Sequence, residues 1–196
     1  MSKIVGLTGG IATGKTQVSN YLKTFGIPII DADIVTKMVE AKGHEGLVAI
    51  ISEFGEDFLD VNGELDRKKL AQTVFSSDSE LKRLVRVINP FIGSEIYRQI
   101  NELKDQKLVV LDAPTLFENG YNSIVDETVV VYTDPVTQLS RLINRNQLSI
   151  TDAMARINSQ WSLETKRDLA DVIIYNSKEF DLTKLQIDDW LRNEEF

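Results

Sequence analysis

The chain has 196 residues, of which 42% are hydrophobic and 27% are charged, a composition typical of a soluble globular protein. Its net charge of −8 argues against a protein whose main partner is nucleic acid or an anionic membrane, because both require a cationic surface. The absence of cysteine excludes disulfides, thiolate metal sites and a cysteine nucleophile, and the single histidine, His44, excludes a multi-histidine metal site.

The N-terminal segment does not have the pattern of a signal peptide, because glycines interrupt its apolar run at Gly9. No apolar run approaches the roughly 20 residues that a membrane span requires. We therefore expect a cytoplasmic protein with no nucleic-acid partner and no membrane partner. No motif indicates an obligate protein partner.

Five short apolar runs predict buried strands at residues 4–7, 27–30, 108–111, 128–132 and 172–175. The runs are mostly continuous rather than alternating, as expected for parallel strands that are covered on both faces. Between the first two runs, four apolar residues follow the spacing of one helix face: Val18, Tyr21, Leu22 and Phe25. Gly26 ends this helix and Pro28 prevents its resumption. The βαβ pattern predicts a parallel sheet flanked by helices.

Residues 32–107 separate the second and third strands, and one crossover helix needs far fewer positions. One amphipathic helix is marked by Leu47, Ile50, Ile51 and Phe54. Ser77 and Glu80 form a capping-box signature before a second apolar stripe, and we expect Pro90 to break or kink that second helix. The α/β core is therefore predicted to carry a helical insert.

The strongest motif is GGIATGKT at residues 9–16, which matches the P-loop pattern G-x-x-x-x-G-K-[ST] at every fixed position. The expected number of chance matches in this composition is about 0.005, and the motif also lies between a predicted strand and a predicted helix. In a P-loop, Lys15 reaches the β- and γ-phosphates and the Thr16 hydroxyl ligates Mg²⁺. The predicted nucleotide-binding residues are Gly9, Gly10, Ile11, Ala12, Thr13, Gly14, Lys15, Thr16 and Gln17.

Carboxylates follow two of the predicted strands. Asp31 and Asp33 come directly after the second strand, where the carboxyl ends of parallel strands face the ligand crevice. A kinase needs one carboxylate there to accept a proton from the attacking hydroxyl, whereas the alternative is a helix N-cap, which suits Asp31 better than Asp33. Asp112 ends the third strand in the form of a Walker B carboxylate, which can hold the magnesium shell. Glu118 can instead be an ordinary loop residue.

Residues 138–167 carry a net charge of +3, which leaves −11 for the remainder of the chain. Arg141 and Arg145 are four residues apart on the helix predicted after Pro135, and so they share a face. A local cationic patch suits a protein that handles polyphosphates, but a solvated helix face is the alternative. Spacing alone does not decide between the two.

Taken in order, these motifs resemble the dephospho-coenzyme A kinase family over nearly the whole chain. The similarity is carried by GLTGGI at 6–11, DAD at 31–33, LDAPTLFENG at 111–120, QLSRLINR at 138–145, RI at 156–157 with Gln160, and ADVI at 170–173. The resemblance implies an α/β, P-loop NTPase-type three-layer fold, with a five-stranded parallel sheet, a helical substrate-binding insert and a small lid. The single kinase domain would have its core at 1–31, 105–140 and 168–196, the insert at about 32–104 and the lid at about 141–167.

The resemblance further implies ATP-dependent phosphorylation of the ribose 3′-hydroxyl of dephospho-coenzyme A, with ATP as co-substrate and Mg²⁺ as the metal. Asp33 would be the base, and Lys15 and Arg141 would stabilise the transferring group. Arg145 would lie near ATP and Asn176 near the adenine. The implied substrate-binding residues are Thr8, Asp31, Asp33, Pro114, Leu116, Phe117 and Glu118, and the implied metal-site residues are Thr16 and Asp112.

Some positions depart from the family pattern. Ala12 stands where the family usually has glycine, which the backbone tolerates if residue 12 keeps a negative φ. Asn89 replaces the usual histidine before Pro90, Asn146 follows Arg145 where aspartate is common, and Thr115 replaces a leucine. None of these changes alters a side chain that is expected to handle phosphate.

Two other functions fit the P-loop alone. One is another small-molecule kinase of the same fold, such as a nucleoside or nucleotide kinase, and the other is a GTPase-type switch. GTPases read the base with an Asn-Lys-x-Asp motif, which this chain lacks. The sequence DVNG at 60–63 matches the pattern Asp-x-x-Gly, but it lies within the predicted insert, and we interpret it as a turn.

Overall fold

The computed structural model describes residues 2–74 and 77–194. The chain divides into two compact units, the first formed by residues 1–30 and 103–196 and the second by residues 31–102. Within the described ranges, no helix combines the length and the apolar character that a bilayer span requires.

All five predicted strands form, and they make one parallel sheet. The strands are β1 (Lys3–Gly9), β2 (Ile29–Asp31), β3 (Leu108–Asp112), β4 (Glu127–Tyr132) and β5 (Val172–Tyr175), in the order β2-β3-β1-β4-β5. The central strand β1 pairs with β3 and β4, so that Leu7 lies opposite Asp112 and Gly9 lies opposite Val131. The P-loop therefore begins at the carboxyl end of the central strand, and the predicted fold class is confirmed.

The helices of the described residues are α1 (Lys15–Lys23), α2 (Ala32–Val39), α3 (Glu45–Phe54), α4 (Arg67–Val74), α5 (Asp78–Glu102), α6 (Pro135–Asn146), α7 (Ile150–Asn158), α8 (Leu163–Leu169) and α9 (Phe180–Asn193). Val18 and Leu22 of α1 are buried against the sheet, as the apolar spacing predicts. The placement of Phe25 on that helix face is wrong, because α1 ends at Lys23. Phe25 is 42% exposed, and its ring makes an edge contact with that of Tyr21.

The second unit is built from α2 to α5, and α3 covers the predicted amphipathic segment. Of the break or kink predicted at Pro90, the break is wrong, because α5 is one helix of 25 residues with Pro90 inside it, and a kink there stays a prediction. A proline removes a single intrahelical hydrogen bond, and the buried Ile88, Ile92 and Ile96 hold the turns on both sides of it in the core.

The sequence at 60–63 forms the predicted turn. Asp60 Oδ1 accepts hydrogen bonds from the N–H groups of Asn62 and Glu64, at 2.8 and 2.9 Å, and the Gly63 N–H donates to Asp60 O at 3.0 Å. These bonds, that from Glu64 foremost, lower the pKa of Asp60. The aspartate therefore has a local structural role, as expected for a turn.

Candidate active site

Residues 9–16 connect β1 to α1 and have the backbone of an anion-binding loop. Gly14 is the N-cap of α1, and no side chain caps this helix. Four N–H groups of the loop and the first turn of α1 have no acceptor among the described residues: those of Ala12, Gly14, Lys15 and Thr16. Unpaired N–H groups at the positive end of a helix bind anions readily, so the loop fits phosphate.

Gly14 is required by both its backbone and its surroundings. Its φ of +91° lies in the left-handed region, and a Cβ at this position would overlap Nδ2 of Asn176. A residue with a side chain would therefore displace either the loop or Asn176.

The φ of Ala12 is not negative, although a negative φ is the condition under which alanine would be tolerated at this position. Its φ is +62°, so the expectation of an unstrained alanine is wrong. The left-handed conformation costs a residue with a Cβ roughly 1–2 kcal/mol, which glycine avoids. The peptides on both sides of Ala12 are hydrogen-bonded: Ile11 O accepts from Gln138 Nε2, and the Thr13 N–H donates to Gly10 O within the loop.

The predicted phosphate-binding lysine and the predicted metal-shell carboxylate are in direct contact. Lys15 Nζ forms an ion pair with Asp112 Oδ1, and the two side chains are only 15% and 7% exposed. Asp112 is the last residue of β3, and Thr16 follows Lys15 in the first turn of α1 with an exposed side chain. A cation, a carboxylate and a hydroxyl thus come from the ends of β3 and α1, next to the open N–H groups.

A second ion pair lies in the loop that follows β3. Lys166 of α8 is fully buried, and its Nζ lies 2.7 Å from Glu118 Oε1 and donates to Pro114 O at 2.7 Å. The same carbonyl accepts from the buried Thr8 hydroxyl at 3.1 Å. Lys166 and Thr8 therefore fix one carbonyl from two sides.

Burial lowers the pKa of the Lys166 ammonium, Glu118 opposes this effect, and Lys15 adds to it. Glu118 Oε1 also accepts from the Trp161 N–H at 3.2 Å, whereas its Oε2 is buried and has no hydrogen-bond partner in the part of the chain that the structure describes. Glu118 is thus more than an ordinary loop residue. Lys166 lies within the basic segment 138–167, and no spacing in the sequence pairs it with Glu118.

Two of the implied substrate-binding side chains belong to the core. Leu116 is 0% exposed and contacts the backbone at Gly6, and Phe117 is 8% exposed and packs against Val130 and Leu163. The structure gives both side chains a packing role, and their implied part in substrate binding stays a prediction. Pro114 is half-buried, and its carbonyl is already used by Thr8 and Lys166.

Helix α6 presents its two arginines beside the P-loop. Asp134 caps the helix by accepting from the Thr137 N–H at 2.9 Å. Arg141 is half-buried and donates to Asn176 O at 2.7 Å, while Arg145 is exposed and donates to Asn146 Oδ1 at 2.9 Å. A cavity of about 350 Å³ is lined by Ala12, Gly14, Arg141, Asn144 and Arg145. The structure therefore brings the basic helix face and the P-loop together.

Asn176 lies directly after β5 and is 1% exposed. Its Nδ2 donates to Thr13 O at 2.8 Å, and its Oδ1 accepts from the Thr183 hydroxyl at 2.8 Å. The side chain thus supports the P-loop from behind, a role that the sequence comparison did not anticipate. A contact with adenine stays a prediction.

In the second unit, Asp31 and Asp33 have different local roles. Asp31 is the N-cap of α2, and its Oδ1 accepts from the N–H groups of Asp33 and Ile34 at 2.9 and 3.1 Å. The capping alternative is therefore confirmed for Asp31. Asp33 stands in the first turn of α2 with an exposed side chain.

Comparisons with known proteins agree with these motifs. The family model of dephospho-CoA kinase matches residues 3–181. The dephospho-CoA kinase of Enterococcus faecalis is 42% identical over 99% of this chain and 98% of its own, and that of Oryza sativa is 43% identical over 97% and 84%. The solved dephospho-CoA kinase from Campylobacter jejuni is 28% identical, with a TM-score of 0.75 over 100% of this chain and 98% of its own.

The strained alanine of the loop gives a stability prediction. We expect Ala12→Gly to raise the free energy of unfolding by about 1 kcal/mol, because glycine adopts a positive φ without steric cost. Urea unfolding followed by circular dichroism would measure the change. Ala71→Gly, in the ordinary helical backbone of α4, is the matched control and should lower the stability by about 0.5–1 kcal/mol. A loss of stability in both variants would contradict a strained Ala12.

Proposed function

The chain belongs to the dephospho-CoA kinase family, and we propose that it transfers the γ-phosphoryl group of ATP to the ribose 3′-hydroxyl of dephospho-CoA. The observation that carries the proposal is the P-loop, where open N–H groups lie beside Lys15 and share a cavity wall with Arg141. This combination provides positive potential for a polyphosphate within a chain of net charge −8. Turnover of small soluble substrates also fits the cytoplasmic location that the sequence predicts.

ATP is the co-substrate of this family, and the loop residues bind it by their backbone. The N–H groups of residues 12–16 that lack protein acceptors would bind the phosphate oxygens, and Lys15 would leave Asp112 to contact the β- and γ-phosphates. Gln17 is exposed in the first turn of α1, next to these groups.

Mg²⁺ fits the oxygen donors of this site. Thr16 and Asp112 would hold it, and the described residues contain no cluster of three or more acidic or histidine side chains that would form a cage. Magnesium usually keeps several waters and takes one or two protein ligands together with substrate phosphates. When bound, the ion neutralises the charge on the β- and γ-phosphate oxygens.

Asp33 is the proposed base for the 3′-hydroxyl. Asp31 Oδ1 accepts hydrogen bonds from two N–H groups at the start of α2. The side chain of Asp33, in the first turn of the same helix, is exposed. A base must reach the hydroxyl proton, and an exposed carboxylate meets that need better than a helix cap. Asp31 would then contribute to substrate binding by fixing the start of α2.

The remaining assignments follow the same resemblance. Residues 141–167 are the proposed lid, with Arg141 stabilising the transferring group and Arg145 lying near ATP. Thr8, Pro114 and Glu118 line the end of β1 and the loop after β3, and Glu118 Oε2 is a buried acceptor that a substrate donor could use. The alternative is a different small-molecule kinase of the P-loop fold, such as a nucleoside or nucleotide kinase. A GTPase switch is disfavoured because residues 60–63 form an ordinary turn in the second unit.

The activity is tested by coupled ADP release. Dephospho-CoA, adenosine, pantetheine and shikimate are offered in turn at saturating ATP and Mg²⁺. We expect turnover with dephospho-CoA, and mass spectrometry of the product should find one added phosphate on the ribose 3′-oxygen. Turnover with adenosine but not with dephospho-CoA would instead indicate a nucleoside kinase.

Asp33→Asn should lower kcat strongly while leaving ATP binding nearly unchanged. The amide keeps the size and the hydrogen-bonding reach of the carboxylate but cannot accept the substrate proton, and losses for general bases are typically about 10²–10⁴-fold. Steady-state kcat and the Kd of ATP from calorimetry would measure this. If Asp31→Asn is the crippling change and Asp33→Asn is mild, the two aspartates have the opposite roles.

Arg141 distinguishes a catalytic segment from a solvated helix face. If its guanidinium meets the charge on the transferring phosphoryl group, Arg141→Ala should lower kcat by about 10³–10⁵-fold, as for other phosphoryl-transfer arginines. Arg141→Lys should restore only part of this, because a point charge does not reproduce the planar fork. Lys178→Ala, at an exposed position after β5, is the control for kcat at saturating ATP. Equal behaviour of Arg141→Ala and Lys178→Ala would remove Arg141 from the mechanism.

A further inference from the structure

Buried amide side chains hold two carbonyl groups of the P-loop from outside. Gln138 Nε2 donates to Ile11 O at 2.8 Å, and Asn176 Nδ2 donates to Thr13 O at 2.8 Å. Gln138 is 5% exposed and Asn176 is 1% exposed. The proposed phosphoryl transfer gives Gln138 no role, although this glutamine of α6 points into the interior and reaches Ile11 O.

The bond from Gln138 fixes the direction of the next N–H group. No described peptide bond is cis, and in a trans peptide the C=O and the following N–H point in opposite directions. Because Ile11 O is held towards α6, the Ala12 N–H points away from α6. The bond from Asn176 to Thr13 O directs the Gly14 N–H in the same manner. These are two of the N–H groups for which the described residues provide no acceptor.

The neighbouring N–H group is treated differently. The Ile11 N–H donates to Gln160 Oε1 at 2.9 Å, so a side chain already satisfies it. Gly10 O, on the same peptide, accepts from Thr13. In the peptide between Gly10 and Ile11, the N–H therefore already has a protein acceptor. In the peptides that follow Ile11 and Thr13, a side chain holds the carbonyl, and the N–H has no acceptor among the described residues.

Packing places Gln138 directly against the loop. A Cβ at Gly10 would come within 2.7 Å of Gln138 Nε2, so glycine at position 10 permits the approach of this amide. Ala12, which follows the held carbonyl, has the left-handed φ of +62°. A strained conformation persists where its surroundings determine it, and the Gln138 bond is one such determinant.

We propose that Gln138 is a positioning residue for phosphate binding: by holding Ile11 O, it aims the Ala12 N–H at the β-phosphate of the bound nucleotide. The inference rests on the proposed function, because it requires a nucleotide in the P-loop. The alternative is that Gln138 only satisfies a buried carbonyl. That role changes stability but not the relative affinity for nucleotides with one and with two phosphates.

The test compares AMP with ADP. Their Kd values are measured by isothermal titration calorimetry for the full chain and for Gln138→Met and Gln138→Leu, with the Tm of each protein from calorimetric scans. Both replacements are neutral and lack the donor, and methionine keeps an unbranched side chain of similar length. We expect the Kd of ADP to rise about 10–100-fold, the scale of one hydrogen bond to a charged group, while the Kd of AMP changes less than about threefold.

Thr133→Val is the matched control. Thr133 is also fully buried, and its hydroxyl meets Ser177 Oγ at 3.3 Å rather than the loop. This variant should lower the Tm and leave the AMP-to-ADP ratio of Kd values unchanged. An unchanged ratio in a folded Gln138 variant, or an equal loss of both affinities, would overturn the inference. If Gln138→Met does not fold, Gln138→Leu, which is also neutral and lacks the donor, supplies the same comparison.

The wild-type protein separates this result from a failure of the proposed function. It must turn over dephospho-CoA and bind ADP more tightly than AMP. If it does neither, the proposed function fails. If it does both and the Gln138 variants keep the wild-type ratio, only the role of Gln138 fails.

Discussion

The open backbone N–H groups between Ala12 and Thr16 are the interaction on which the rest of the site depends. A chain of net charge −8 repels a polyphosphate as a whole, so positive potential has to be concentrated at one point. Backbone N–H groups at a helix start supply it without adding a charged side chain. Their position depends on β1, the central strand of the sheet, because the loop begins at the carboxyl end of that strand.

Two lysines near these groups each have a carboxylate partner. Lys15 pairs with Asp112, and Lys166 pairs with Glu118, all with little exposure. An unpaired buried ammonium tends to lose its proton, and the pKa of Lys166 is indeed lowered by burial and by Lys15. Glu118 counteracts that effect and keeps Lys166 able to hold Pro114 O. Each ion pair is neutral as a whole, and it keeps a protonated lysine near Asp112 or in contact with the loop that follows β3.

The sequence predicts what depends on neighbours in the chain. The strands follow from continuous apolar runs, the P-loop follows from eight consecutive residues, and the Asp31 cap follows from its position before α2. The break at Pro90 was wrong because the packing of isoleucines on both sides outweighs one lost hydrogen bond. The negative φ required of Ala12 was wrong for a similar reason, since contacts outside the loop determine its backbone.

What the sequence does not predict depends on residues that are far apart in the chain. Gln138 and Ile11 are 127 positions apart, and Lys166 and Pro114 are 52 apart. Neither pair has a periodicity, and a glutamine or a lysine in a helix is ordinarily a surface residue. Only the folded first unit brings each pair together. Asn176 is a further example among the proposed site residues. The sequence predicts its position directly after β5 but not its hydrogen bond to Thr13 O.

The chemistry of Gln138, Gln160 and Asn176 explains why amides hold this loop. An arginine or lysine in their place would add a charge that binds phosphate itself and competes with the backbone for it. A carboxylate would oppose the positive potential of the N–H groups. An amide is neutral and offers both a donor and an acceptor, so it can hold a carbonyl, as Gln138 does, or an N–H, as Gln160 does. The loop is thereby fixed in direction without a formal charge being added beside its phosphate ligand.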